Sequence, residues 1–464
     1  MKNFLLELDQ TSGESLYLQL FRALRDAILR GDIAAGERLP SLREIARRLG
    51  ISVTTAQAAY DQLQIEGYIT SRPQSGFYAA EIGSARAAAE EQTRLEPLAF
   101  ADVGTTRYRT DISAFDFVKW KKCVAKILNE YPEQLLTGAD RQGEPFLRSE
   151  IARYVYSARG VTCTPDQIVV SAGTQQLMSH LSRILREMGI DMVCTEDPGY
   201  LPVQKIFQDQ GFAVHRIPMR EDGIRIEQLP ENVPAAVYII PSNQFPTGSV
   251  MPAGRRYQLL EWAKANASVI IEDDYDSELR YFGNPVPALQ GLDRDSSVVY
   301  LGSFTSTLFA AVRISFMVLP KPMAEIFETI REDYDQTSSK TEQLTLALYM
   351  HNGWYRTHVR KLRALYAQKL RRAAAALKKY GEGFIEPVNT SSGMVILLRV
   401  KSSLPPEELS RRALALRLNA RPVSVYTGET AEEAAGAALS FSYNQIPLEE
   451  IDEAIRDLAE AWRA

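Results

Sequence analysis

The side chains best suited to hold a small ligand sit in short polar turns that follow apolar runs. "SAGTQQ" puts Gly173 and Thr174 where a helix starts, and the open N–H groups there suit either a plain cap or a phosphate. "EDPGY" ends on Tyr200, whose ring could fill a core or lie on a flat ligand, and "SNQFPTG" offers the Asn243 amide. "IEDDYD" sets Asp273, Tyr275 and three further acids at an acidic strand end. "YLGSFTSTLFAAVRISF" carries a hydroxyl-rich loop with Ser303 and Ser306, then an apolar run, then Arg313. That arginine suits a bidentate grip on an anion or a surface ion pair. The cysteines Cys123, Cys163 and Cys194 are scattered and in no CxxC spacing, so neither a zinc site nor a disulfide framework is expected, and a reducing cytoplasm is.

The elements that must position these turns follow from the pattern around them. From about Ala99, "QIVVSAG", "DMVCTEDPGY", "AAVYIIPSNQFPTG", "SVIIEDDY" and "VVYLGSF" alternate with amphipathic stretches such as "RRYQLLEWAKANA". That rhythm predicts an α/β fold with a mostly parallel sheet, right-handed crossovers and ligands at the carboxyl ends of the strands. "FIEPVNTSSGMVILLRV" and onward mixes strands with helices and predicts a smaller α+β C-terminal subdomain, from about residue 345 to 464.

Ahead of this lies a different plan. "SLYLQLFRALRDAILRG" puts Tyr17, Leu20, Phe21, Leu24 and Ile28 on one helical stripe. In "LPSLREIARRLG", Ser41 and Glu44 have capping-box spacing. A third helix starts at Ser52, with Ala56, Tyr60, Leu63 and Ile65 available for packing, and "YITSRPQSGFYA" reads as two short strands around a turn. Helix, helix, turn, helix, hairpin is the winged helix-turn-helix plan. Its local arginines, Arg38, Arg43, Arg47, Arg48 and Arg72, could neutralise phosphates. The whole chain of 464 residues has a net charge of −5, which excludes a globally basic nucleic-acid coat. No run approaches eighteen apolar residues, so no membrane span is expected.

"GERLPSLREIARRLGISVTTAQAAYDQLQIEGYI" resembles the winged-helix domain of the GntR superfamily of bacterial transcription regulators. The resemblance implies operator DNA as a partner, with Arg38 and Arg43 near phosphate or base edges. It brings Ser52, Thr54, Thr55 and Gln57 to the major groove, and the wing residues Gln74, Ser75 and Gly76 to the minor groove. Where many such proteins carry a basic or amide residue, this chain has Val53, a side chain that could pack on a thymine methyl.

"VSAGTQQLM", "EDPGY", "SNQFPTG", "IEDDYDSELRY", "PALQGLD", "YLGSF" and "VRISFMVLP" recur in that order in fold type I aminotransferases. Together the two parts resemble a MocR-type (GabR-like) regulator. That resemblance implies a pyridoxal 5'-phosphate site in which Gly173 and Thr174 meet the phosphate, Arg313 clamps it, Tyr200 stacks on the ring, Asp273 pairs with the ring nitrogen, and Asn243 and Tyr275 approach the ring oxygen. Ser303 and Ser306 lie in the loop that floors the site. It also implies a homodimer.

The same resemblance gives Ser306 its meaning. The family has a lysine there, covalently bonded to the cofactor and shuttling protons in transamination; a serine does neither, and Lys321 and Lys340, the next lysines downstream, lie outside the loop. The family's carboxylate-clamping arginine is likewise replaced, with Ala438 in "AALSFSYNQ". The expectation is a cytoplasmic transcription regulator without catalytic residues or metal, binding pyridoxal 5'-phosphate non-covalently if at all, and responding to a small-molecule effector. Residues 1–79 would bind DNA, 80–98 link, and 99–464 bind effector and dimerise. The alternatives are a working aminotransferase with an appended domain and a non-sensing dimeric scaffold.

Overall fold

The computed structural model describes residues 8–9, 13–73, 75–81, 111–281, 287–388, 390, 392–427 and 437–463. The chain divides into two compact units, Met1–Val103 and Gly104–Ala464. The linker proposed at 80–98 lies almost wholly outside the described residues, as does Gln74.

In the first unit α1 (Leu16–Arg30), α2 (Leu42–Leu49) and α3 (Val53–Ile65) precede a hairpin of β1 (Ile69–Arg72) and β2 (Gly76–Ala79). The α1 stripe buries Leu20, Phe21, Leu24, Ala27 and Ile28 against Ala56, Tyr60 and Leu63 of α3. Ser41 and Ser52 cap α2 and α3, accepting from the N–H groups of Glu44 at 3.3 Å and Thr55 at 3.0 Å. Two expected core residues face outward: Tyr17 is 40% exposed and Ile65 79%. Ile65 is the last residue of its helix and stands two places past the buried Leu63, on the opposite helical face, while Ala59 is buried with Ala56, Tyr60 and Leu63.

The second unit is built on an eight-stranded sheet in the order β3-β10-β9-β8-β7-β4-β5-β6. The strands are β3 (Ile168–Ser171), β4 (Met192–Asp197), β5 (Ala213–Arg220), β6 (Gly223–Ile224), β7 (Ala236–Ile239), β8 (Val269–Asp274), β9 (Val298–Ser303) and β10 (Ser315–Val318). From β9 through β8, β7 and β4 to β5 the pairing is parallel, while β10 runs antiparallel to both β3 and β9. The central strands are apolar on both faces because both are covered. Val169, Val299, Leu301 and Met317 pack under the helices Thr174–Glu187 and Lys321–Ile330. Their neighbours Ile168, Val170, Tyr300 and Phe316 pack on the other side with the helices Pro145–Arg159 and Lys340–His351.

A separate antiparallel sheet of β11 (Ile385–Val388), β12 (Ile396–Val400), β13 (Ala420–Pro422) and β14 (Ala437–Phe441) forms the small subdomain, in the order β11-β12-β14-β13. The long helix Trp354–Tyr380 joins it to the large sheet. Tyr355 and Val359 belong to the first core, Leu370, Ala373 and Leu377 to the second. Among the described residues no helix is long and apolar enough to cross a membrane.

Candidate ligand cavity and nucleic-acid interface

The polar turns at the carboxyl ends of β3, β8 and β9 converge on one cavity of about 1040 Å³. Its lining includes Gly173, Thr174, Tyr200, Asp273, Tyr275, Ser303, Ser306 and Arg313. These eight were singled out from sequence. Asn243, also singled out, is not among the lining residues. It is buried behind the wall, where its Nδ2 donates to Asp276 at 2.7 Å and its Oδ1 accepts from Ser392 at 3.3 Å.

One end of the cavity is shaped by Gly173 and Arg313. Gly173 caps the helix Thr174–Glu187 with φ +92°, a backbone region that side chains rarely adopt. A Cβ there would come within 2.6 Å of an Arg313 guanidinium nitrogen, so glycine is what lets the guanidinium lie against the helix start. Arg313 itself holds left-handed backbone, φ 49° and ψ 37°, just before β10. One expectation changes here: the Gly173 N–H is spent on the Ser171 carbonyl at 2.9 Å. The donors left for an anion are those of the first helical turn, beginning with Thr174.

Asp273 ends β8 and is 5% exposed. The hydroxyl of Tyr238 on β7 donates to its Oδ2. Burial pushes the Asp273 carboxyl up to about 7, the Tyr238 bond opposing and the Asp274 charge adding to the shift. Tyr200 is half-buried; burial first and Asp273 second raise its hydroxyl, while Arg313 pulls the other way. Burial and then the adjacent Asp276 raise the Tyr275 hydroxyl far above its ordinary value.

The loop after β9 brings Ser303 and Ser306 to the cavity. Ser303 Oγ accepts from Ser315 Oγ at 3.0 Å and from the Thr305 N–H at 3.3 Å. The Ser306 hydroxyl donates to the Tyr275 carbonyl. No lysine is among the described residues that line the cavity. Lys340 is held by Thr137 Oγ1 at 2.9 Å and the Gly138 carbonyl at 3.0 Å, and Lys321 is exposed at the start of its helix.

Sequence reading missed the opposite wall. Asp111, Tyr366, Asn444 and Gln445 line it, with Phe115 in edge contact with both Phe117 and Phe309. Behind it Lys369 is fully buried, paired with Asp111 and donating to the Asn444 carbonyl at 2.7 Å. Burial lowers the Lys369 ammonium below its ordinary value. A lysine within an otherwise amphipathic helix gives no signal of such burial; only the meeting of segments some 250 residues apart (positions 111 and 369) reveals it.

In the winged unit Arg38 and Arg43 are exposed, and the Arg38 guanidinium lies beside the turn glycine Gly76. Ser52 Oγ is 2.7 Å from both Thr54 Oγ1 and Thr55 Oγ1, and Gln57 Nε2 donates to Asp61 at 2.5 Å. Val53 is 48% exposed. Ser75 Oγ meets the Tyr78 hydroxyl at 2.6 Å, and Arg72 lies over the Tyr78 ring.

Residues 16–79 match the family model of bacterial regulatory proteins, gntR family, and residues 102–458 match aminotransferase class I and II. The chain is 36% identical to the uncharacterized HTH-type transcriptional regulator YdeL of Bacillus subtilis, over 98% of each chain. It is 32% identical to the probable rhizopine catabolism regulatory protein MocR of Rhizobium meliloti, over 90% of this chain and 89% of that one. The HTH-type pyridoxine biosynthesis transcriptional regulator PdxR of Corynebacterium glutamicum is 32% identical over 90% of each. The chain belongs to the MocR-type regulators of the GntR superfamily.

This MocR-type chain is thus a transcription regulator that carries an aminotransferase-like domain. Its second unit also superposes on the multiple substrate aminotransferase of Thermococcus profundus, with TM-score 0.66 at 24% identity, covering 76% of this chain and 89% of that one. That likeness establishes the fold alone.

In this MocR-type chain the end of β8 is also tied from behind the cavity. Asp274, next to Asp273, pairs with Arg159 at 2.8 Å and accepts from Tyr300 at 2.7 Å, with both charges almost wholly buried. This network fixes the end of β8 from the opposite face of the sheet, leaving Asp273 to face the cavity.

Proposed function

We propose that this regulator binds pyridoxal 5'-phosphate, its amino-acid adduct or a related metabolite non-covalently, and that ligand binding changes how it engages operator DNA. The observation that carries the reading is Ser306. It stands in the loop position that resembles the family's covalent lysine, its hydroxyl is committed to a backbone carbonyl, and no lysine lines the cavity among the described residues. With no amine to bond the cofactor or carry protons, the domain binds and does not transaminate.

The residues present fit the cofactor by their chemistry. The Arg313 guanidinium and the helix start at Thr174 suit a phosphate, and the glycine at 173 keeps that cradle open. Asp273, buried and backed by Tyr238, suits a protonated ring nitrogen, and Tyr200 feels both the Asp273 and Arg313 charges, as a ring lying between them would. When bound, pyridoxal phosphate supplies an electrophilic carbonyl and an electron-withdrawing ring. The chain's own groups that would hold and orient it are Arg313 and Thr174 for the phosphate, Asp273 for the ring nitrogen, Tyr275 for the ring oxygen with Asn243 behind it, and Ser303 and Ser306 as the floor. A relative named for pyridoxine biosynthesis regulation supports a ligand of this class.

The winged unit, residues 1–79, would meet DNA through Arg38, Arg43, Ser52, Thr54, Thr55, Gln57, Gln74, Ser75 and Gly76, with 80–98 as linker and 99–464 as a cytoplasmic, homodimeric sensor. A ligand that prefers one arrangement of the large and small subdomains shifts the population that presents the DNA-binding units. A dimerising scaffold alone would need none of the ring and phosphate groups. Mixing an amino acid, a keto acid and the cofactor with the protein tests the reading: no product is expected, and sustained turnover overturns it.

A further inference from the structure

A serine hydroxyl has one hydrogen to give. At Ser306 it is spent on the Tyr275 carbonyl oxygen, an atom that only accepts, so chemistry fixes the direction of that bond. Ser306 therefore turns lone pairs, not a donor, toward the cavity it lines. Among the described lining residues the formal charges are Asp111, Asp273 and Arg313, and the single cation lies against Gly173 at the anion-binding end. Asp111 is already paired with the buried Lys369, so away from that end Asp273 and the Ser306 Oγ are acceptors that a ligand can meet.

We infer that the ligand presents an amine, not an aldehyde, to Ser306, so that the sensed form is an aminomethyl pyridine phosphate of the pyridoxamine 5'-phosphate class. This inference rests on the pyridine-phosphate reading above. Were the phosphate held at Thr174 and Arg313 and the ring nitrogen at Asp273, the remaining ring arm would be left to the loop wall that carries Ser306. An ammonium there gives N–H donors to Ser306 Oγ. An aldehyde oxygen in the same place sets one acceptor against another, and desolvates both without a bond. The residue whose lysine counterpart would capture an aldehyde thus selects for the form of the ligand that cannot be captured.

Calorimetric titration of the full chain with three probes tests this: pyridoxamine 5'-phosphate, pyridoxal 5'-phosphate and 4'-deoxypyridoxine 5'-phosphate, whose methyl arm serves as the baseline. The amine form is expected to bind at least about tenfold tighter than the methyl form, as a hydrogen bond to a charged group provides. The aldehyde is expected to bind no tighter than the methyl form. In Ser306→Ala the amine's advantage over the methyl form should shrink toward unity. An aldehyde that binds as tightly as the amine in the unmodified protein overturns the inference without recourse to any variant, and so does an amine preference that survives Ser306→Ala. Binding of none of the three overturns the pyridine-phosphate reading as well, and the absence of heat from every probe tells that failure apart.

Discussion

Replacing Asp273 by asparagine should move stability and ligand binding in opposite directions. The carboxyl is 5% exposed and pushed from an ordinary 3.8 up to about 7, mainly by burial. An acid whose folded value is raised keeps its proton longer in the folded chain than in the unfolded one. Stability therefore falls as pH rises from about 4 to about 7, and above that the folded state carries the whole penalty, on the order of 4 kcal/mol. Asparagine cannot ionise and still offers Tyr238 an oxygen to donate to, so Asp273→Asn removes the penalty and keeps the contact. The variant's advantage over the unmodified protein should be about 2–3 kcal/mol larger at pH 8.5 than at pH 5. A ring-nitrogen ligand, however, loses a charge-assisted bond and should bind about 10- to 100-fold more weakly. Thermal melts at the two pH values, with and without pyridoxal 5'-phosphate, read both effects. A variant that melts lower than the unmodified protein at pH 8.5 without ligand, or that ligand protects equally well, refutes the reasoning.

Further substitutions probe other parts. Gly173→Ala puts a Cβ 2.6 Å from the Arg313 guanidinium at φ +92°, and should weaken phosphorylated pyridines at least about tenfold while leaving unphosphorylated pyridoxine unchanged by calorimetry. Arg159→Ala strands the buried Asp274 charge and should cost about 3–5 kcal/mol in a urea melt at neutral pH; a loss under 1 kcal/mol would mean the network is not rigid. Arg43→Ala should weaken operator binding and lower the slope of log affinity against log salt by about one, measured by fluorescence anisotropy. An unchanged slope would remove Arg43 from the phosphate contacts.

The parts of this molecule written in local pattern were legible in the sequence. The α1 stripe, the Ser41 and Ser52 caps and the apolar runs of β3, β4, β7, β8 and β9 each follow from spacing that a single segment contains. The polar ends of those runs were legible as site residues for the same reason, since a parallel sheet puts its strand ends on one side. What escaped were features set by distant partners. The Asp111–Lys369 pair joins segments with no shared pattern. Asn243 turns into the wall because Asp276 and Ser392 compete for its amide. The Gly173 N–H closes a local bond that a generic helix start would leave open. The helix Trp354–Tyr380 runs through both cores, so no break in composition marks where the small subdomain begins.

The central claim is that the cavity binds its ligand without a covalent bond. It is tested most directly by saturating the protein with pyridoxal 5'-phosphate, reducing with borohydride, and measuring the intact mass after denaturation, with the binding heat recorded in parallel. Saturable heat with no mass increment is the predicted result. A stoichiometric phosphopyridoxyl increment on a cavity residue would contradict the account.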